Sequence, residues 1–407
     1  MRGHAGFGAV LLSCLMAAAT PASAQAPATL SLNDAMSRAL EANRTVLAAR
    51  TARAIDLAGI QAAGQRPNPE VNFENEREVP KWAVGGAIPI EIAGKRGRRI
   101  DVANATLAVT DAETAQIAAS VRADVRRTYY EAVAAARRVQ VAQDLAGIAQ
   151  RFSNAAQERF QAGAAPRLDA LQAQLALSET QNQLASAQGE LVAARTELNT
   201  LLAYPPDASP TLADPLEGGP LPQVQDAVQQ ALAGNAELRV LDRQVDEAKA
   251  KVALAQAQRH PDPSVSASVT WDAEPEFSTG WRIGGAIAIP ILTTGKADVA
   301  VAEASVTRAS ADRDARAAQI SGAVSAAVAR ATAARQAVTR YGTDVLPATA
   351  QVEAMAQESY SSGQTGLPAL LQTLQATREI RQRAVQAALD YQLALADLEK
   401  AMGVPLK

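Results

Sequence analysis

The chain has 407 residues, 48% hydrophobic but only 3% aromatic, with a formal net charge of -3 at pH 7. That balance excludes a nucleic-acid binder with a basic face and a disordered acidic tail, and it suits close-packed helices. Beyond residue 24 there is no cysteine and a single histidine, His260, so no disulfide, histidine triad or His/Cys metal site can be assembled.

Residues 1–24 read as a secretory signal: Arg2 and His4, an apolar run from Ala9 to Ala18, then an A-x-A site at Ala22, Ser23 and Ala24. Cys14 follows Leu11, Leu12 and Ser13, a passable lipoprotein cleavage box, so it is either lipidated or removed with the signal. No later stretch reaches about eighteen consecutive apolar residues, which excludes a transmembrane helix but not membrane strands.

The remainder contains itself twice, as repeat 1 (25–203), a linker (204–222) and repeat 2 (223–407). ALEAN at 39–43 answers ALAGN at 231–235, and RPNPEV at 66–71 answers HPDPSV at 260–265. VGGAI at 84–88 answers IGGAI at 283–287, and ERFQAG at 158–163 answers ESYSSG at 358–363. A unit this long is no solenoid repeat; it reads as a duplicated substructure whose copies pack side by side.

Within repeat 1, Ser31 and Asp34 make a capping start for a helix that runs to about Gly64. Pro67 and Pro69 break it, and two short segments across 70–91 follow before Gly94 and Gly97. From Arg98 to Gln161 there is no proline, and apolar or small residues recur at three and four spacing, which predicts a helix of more than sixty residues. Gly163 and Pro166 turn the chain, and a return helix over 167–203 carries a heptad stripe of Leu184, Ala187, Leu191, Ala194, Leu198 and Leu201. The opening and return helices, laid end to end, match the long one, so two short rods stack on one long rod.

In repeat 2, Val265, Ala267, Val269 and Trp271 alternate with serines and Thr270, and Trp281, Ile283, Ile287 and Ile289 oppose Arg282, Gly284 and Ala286. Repeat 1 repeats the pattern, with Trp82, Val84, Ile88 and Ile90 on one strand and Val71 and Phe73 set against Asn72, Glu74 and Glu76 on the other. Segments of about ten residues, apolar on one face and polar on the other, predict outer-membrane strands across about 70–91 and 264–291. Trp82, Trp271 and Trp281, all expected near strand ends, are the expected aromatic anchors. Four strands cannot close a barrel, so the chain must associate with copies of itself.

No enzyme motif survives scrutiny, and no catalytic, cofactor or metal-ligating residue is expected. GKR at 94–96 lacks the upstream glycine and the Ser or Thr of a phosphate-binding loop, and reads as a strand-to-helix turn.

Taken together, SLNDAMSRALEAN (31–43), NPEV (68–71), IPIEIAGKRGRRI (88–100), RFQAGAAPRLDALQAQ (159–174) and SYSSGQTGLPALLQT (359–373) resemble the TolC-type outer-membrane factor (outer membrane efflux protein) family. The IAGKRGRR stretch is most similar to its heavy-metal (cobalt-zinc-cadmium, CzcC-like) branch. The resemblance implies a mainly α fold with a small transmembrane β part: a duplicated long-helix repeat forming an α-helical barrel, with four strands per chain contributing to a trimeric barrel of twelve. It implies a passive efflux conduit in the Gram-negative outer membrane, its helical part in the periplasm, a homotrimer working with a periplasmic adaptor (membrane fusion protein) and an inner-membrane RND pump, without cofactor. It assigns adaptor docking to the hairpin tips, here Gly163, Pro166, Arg167 and Leu168, and Gly363, Gln364, Gly366, Leu367 and Pro368. Some relatives carry two aspartates after the second tip; those positions are Ala369 and Gln372 here, which leaves Asp169 in repeat 1 as the entrance or gate candidate. A drug-efflux or type I secretion channel, or a periplasmic coiled-coil adaptor, are the alternatives.

Overall fold

A computed structural model describes residues 27–406 apart from 220 and 276; the signal segment 1–24 and Cys14 lie outside the described residues. Repeat 1 runs β1 (Thr29–Leu30), α1 (Leu32–Ala42), α2 (Arg44–Ala63), β2 (Glu70–Asn75), β3 (Trp82–Pro89), α3 (Lys95–Gln161) and α4 (Arg167–Leu202). After β4 (Thr211–Leu212) in the linker, repeat 2 runs α5 (Val224–Gly234), α6 (Ala236–Gln258), β5 (Pro263–Ala273), β6 (Phe277–Ile287), α7 (Lys296–Arg340), a π-turn (Tyr341–Val345), α8 (Leu346–Ser361) and α9 (Leu367–Met402).

The opening helix expected from 31 to 64 is two helices. Asn43 adopts an extended backbone, and its side-chain oxygen accepts the N–H groups of Thr45 and Val46 at the head of α2. Its amide donates to Leu201 O at 3.0 Å, fastening the break to the end of α4. Asn235 does the same in repeat 2, capping α6 and donating to Met402 O at 3.1 Å at the end of α9. The asparagine shared by ALEAN and ALAGN is therefore a cap and a clamp, which is why both repeats keep one. Ser31 and Asp34 form the expected capping box on α1.

The 67-residue α3 is about 100 Å long at ~1.5 Å per residue, and α2 and α4 both pack along it. Small buried residues, among them Ala132, Ala134, Ala135 and Ala149, let the helices approach closely. Its counterpart in repeat 2 is interrupted by the π-turn immediately before Pro347, whose missing N–H cannot continue the regular ladder.

The core lies where the two repeats meet. Tyr129 is fully buried; its hydroxyl contacts Leu30 O at 2.9 Å and Asp214 Oδ2 at 2.8 Å, while Leu32 N–H donates to the same carboxylate at 2.7 Å. Burial pushes the Tyr129 phenol up, so it remains a donor. Beside it, β1 and β4 pair in parallel, tying the N-terminal segment to the linker. Gln392 donates to Leu216 O and Gly218 O at 2.9 and 2.7 Å, which fixes the linker to α9. Among the described residues no helix is long and apolar enough to cross a membrane.

Candidate functional site

The features able to act on a solute or a partner form three zones along the long helices. At one end stands a four-stranded antiparallel sheet in the order β2-β3-β5-β6. Its register puts Val71, Phe73, Val84, Ile88, Val265, Val269, Trp281 and Ile283 on one face, as the alternation predicts. Val71, Phe73 and Ile283 are 80%, 61% and 69% exposed, far beyond what water tolerates in a contiguous patch of this kind. The opposite face carries Glu70, Asn72, Glu74, Ser264, Ser266, Ser268, Thr270 and Arg282 among glycine and alanine. It is crowded: a Cβ on Gly85 would stand 2.7 Å from Asn72 Oδ1 and 3.0 Å from Ser268 Cβ. Crowding on the polar face and openness on the apolar one are the marks of a sheet curled with its polar side inward.

Trp82 begins β3 and lies opposite Trp271, while Trp281 sits within β6, opposite Val269, rather than near a strand end. Trp82 and Trp271 share the row farther from the helices, while Trp281 and Phe73, whose ring is 5.4 Å from that of Trp82, belong to the next row of the same face, with Val84 and Val269.

The second zone joins sheet to helices and explains the GKRGRR run. Lys95, 9% exposed, holds Asp262 at 2.7 Å, and Asp262 also accepts the Ile92 N–H at 3.1 Å. Arg99 pairs with Glu91 and donates to Ala63 O and Gln65 O, and Arg96 donates to Gly64 O at 2.5 Å. These basic residues cap the carbonyls that end α2 and lock the repeat 1 turn onto the repeat 2 turn. Sequence reading took this run only as a turn and a resemblance; the acid that completes it lies far along the chain. Burial raises the Asp262 carboxyl, but the Lys95 ammonium and the Ile92 N–H outweigh burial and hold it below its ordinary value. A carboxyl so depressed contributes stability above its unfolded pKa and loses it as pH falls through the folded one. Acidification below about pH 4 should therefore raise hydrogen exchange across 91–99, and Asp262→Asn should shrink that acid limb to the part left by Glu91, which the Arg99 hydrogen bond also holds low; an unchanged profile in the variant would dismiss the lock.

The third zone is the pair of hairpin tips. Gly163 and Gly363 take positive φ of 69° and 75°, and each tip closes in the same way, with Ala164 N–H on Arg159 O and Gln364 N–H on Ser359 O, both at 2.8 Å. Pro166 and Gly366 then stand as the N-caps of α4 and α9. Arg167, Leu168, Gln364 and Pro368 are exposed, and Asp169 lies half-buried in the first turn of α4. Leu367 differs from the expectation of an exposed tip. It is fully buried with Ala156, Ala173, Tyr360 and Leu370, because the two hairpins converge there and leave it no surface.

Sequence reading missed what fastens one hairpin to the other. Arg159 lies 5.3 Å over the Tyr360 ring, Arg378 donates to Gln183 at 2.8 Å, and Arg138 donates to Gln386 at 2.7 Å. A groove of about 610 Å³ remains between the hairpins, lined in part by Arg138, Gln183, Glu190, Glu379 and Arg383. Among the described residues no three His, Cys, Asp or Glu side chains are placed to hold a metal ion.

The family model described as "Outer membrane efflux protein" matches residues 35–203 and 227–404, one span in each repeat. The cobalt-zinc-cadmium resistance protein CzcC of Cupriavidus metallidurans is 30% identical over 277 residues, covering 66% of this chain and 65% of that protein. Among solved structures, CusC superimposes with a TM-score of 0.74 at 16% identity over 92% of both chains. The outer membrane protein VceC of Vibrio cholerae gives 0.72 at 17% identity, covering 92% of this chain and 97% of that one. The MtrE outer membrane channel of Neisseria gonorrhoeae gives 0.71 at 19% identity, covering 92% and 89%.

Proposed function

Because the chain belongs to the outer membrane efflux protein family, and so is a non-enzymatic efflux channel of the Gram-negative outer membrane, we propose that it exports divalent heavy-metal ions of the cobalt, zinc and cadmium kind. The observation that carries this reading is the likeness to CzcC, a cobalt-zinc-cadmium resistance protein. The charge of the curled face supports it: Glu70, Glu74 and Glu76 stand against Arg282, an excess of carboxylate that favours cations over anions.

In this reading the working unit is a homotrimer. Each chain supplies four strands to a twelve-stranded barrel, and repeats 25–203 and 223–407 are successive segments of one helical wall. The apolar face meets lipid, Trp82 and Trp271 anchor its outer rim, and Trp281 packs one row further in. The tips at Gly163, Pro166, Arg167 and Leu168, and at Gly363, Gln364, Gly366 and Pro368, receive a periplasmic adaptor coupled to an inner-membrane RND pump; Leu367 holds the hairpins together from beneath. Asp169 faces the entrance as its acidic gate residue. The chain itself provides a path, and the energy of export comes from the pump.

Deleting the gene should sensitise the cell to cobalt, zinc and cadmium while leaving sensitivity to lipophilic drugs unchanged, with complementation restoring resistance. Drug sensitivity without metal sensitivity would replace this reading with multidrug efflux.

A further inference from the structure

The sheet ends in two free edges, one on β2 and one on β6. Every pairing within it is antiparallel, so β2 and β6 run in opposite directions. The edge of one copy therefore meets the edge of the next as an ordinary antiparallel ladder, and a spanning sheet leaves no edge unpaired in lipid.

The chain contains its own template for that seam. The two hairpins keep one register: Val71 lies opposite Gly86 as Val265 lies opposite Gly285, and Phe73 opposite Val84 as Ala267 opposite Ile283. Strand β2 is thus the counterpart of β5, and β3 of β6, residue for residue. Between the repeats, β3 already pairs with β5, with Ile88 opposite Val265, Gly86 opposite Ala267 and Ala83 opposite Thr270. Replacing each residue by its counterpart writes the register of the seam between copies. Ile287 then faces the partner's Val71, Gly285 faces the partner's Phe73, and Arg282 faces the partner's Glu76.

The chemistry of this register is consistent on both faces. On the lipid side, aliphatic meets aliphatic and an aromatic ring covers a glycine. On the polar side, a guanidinium meets a carboxylate, with the partner's Glu74 on the diagonal. Arg282, Glu74 and Glu76 are exposed, and among the described residues neither Arg282 nor Glu76 makes an ion pair. The ladder reaches Glu76, whose N–H donates to Lys81 O at 2.9 Å. At the helix junction the same replacement sets Lys296, counterpart of Lys95, beside the partner's Asn68 in place of Asp262, so the lock within the chain has no ionic equivalent between chains. We propose that copies of this chain join β6 to β2 in this register, and that Arg282 with the partner's Glu76 forms the ion pair closing each seam on the luminal side.

The inference rests on the trimeric reading, and the experiment separates the two. The full-length protein is extracted from outer membranes, and the share of trimer surviving SDS is measured. Arg282→Glu and Glu76→Arg should each cut that share roughly tenfold by placing like charges across the seam, and the double exchange should restore it. Single variants equal to wild type, or a double exchange no better than the worse single one, would overturn the pair. Independently, Ile287→Cys with Val71→Cys should yield oxidant-dependent covalent trimers, whereas Ile287→Cys with Phe73→Cys should not, since only directly opposed positions come within disulfide reach. Both positions lie at opposite edges of one chain's sheet, so a bond reports only neighbours. The reverse preference would overturn the register while leaving the trimer standing. A monomer in the wild-type extract would remove the trimeric reading and this inference with it.

Discussion

Replacing Arg126 with methionine should destabilise the fold by about 3–5 kcal/mol, the cost of leaving a buried carboxylate without its counter-charge. Arg126 and Glu399 are 7% and 4% exposed, and the guanidinium Nη1 donates to Glu399 Oε2 at 2.7 Å. The pair joins α3 of repeat 1 to α9 of repeat 2, next to the fully buried Leu398. Its geometry is not ideal, since Arg126 Nε and Glu399 Oε1 have no partner among the described residues. A buried pair of this kind stabilises little relative to apolar residues of the same volume, yet breaking it on one side is expensive. The double variant Arg126→Met with Glu399→Leu should therefore recover most of the loss. Thermal unfolding of the detergent-extracted protein reads both changes. A single-variant cost within about 1 kcal/mol, the range of exposed pairs, would mean that water reaches the site.

Val269→Arg should cost about 2–4 kcal/mol, the range for a cation on the lipid face near the bilayer midplane. Val269 lies in the body of β5, opposite Val84 on one side and Trp281 on the other, and its face is apolar on every strand. Ser268→Lys, one residue away on the polar face, should be markedly milder because its ammonium enters the water-filled side. Ile287 shares the lipid face, but the register places it at the end of β6 opposite Pro263, close to the helices. A charge there should cost nearer to the ~0–1 kcal/mol of the interface. Urea titration of refolding into lipid vesicles compares the three, and equal tolerance at Val269 and Ser268 would rule out the assignment of faces.

Much of this architecture is readable from short-range pattern. Alternation with a period of two separates Val269 from Ser268 whatever the strands pair with. Glycines at 163 and 363 stop helices because the left-handed turn they adopt is unfavourable for other residues. The absence of thiols and histidine clusters beyond residue 24 is a property of composition. Duplication is legible for the same reason: it needs only comparison of the chain with itself.

The remaining features depend on residues far apart in the chain. Asn43 reads as a residue within a helix; its side chain caps α2 locally, but the bond to Leu201 is what fastens the break between α1 and α2 to the end of α4. Leu367 sits in a tip motif that looks exposed, and convergence of the two hairpins buries it. Arg126 with Glu399 and Lys95 with Asp262 leave no periodic trace, because an ion pair needs one residue from each side and constrains nothing in between. The repeat, the two faces of each strand and the ends of the hairpins are legible in the chain, since these follow from local sterics and periodicity. Which acid meets which base, which tip residue is covered and which strand edges stay open emerge only from packing between distant segments, which local preference cannot order.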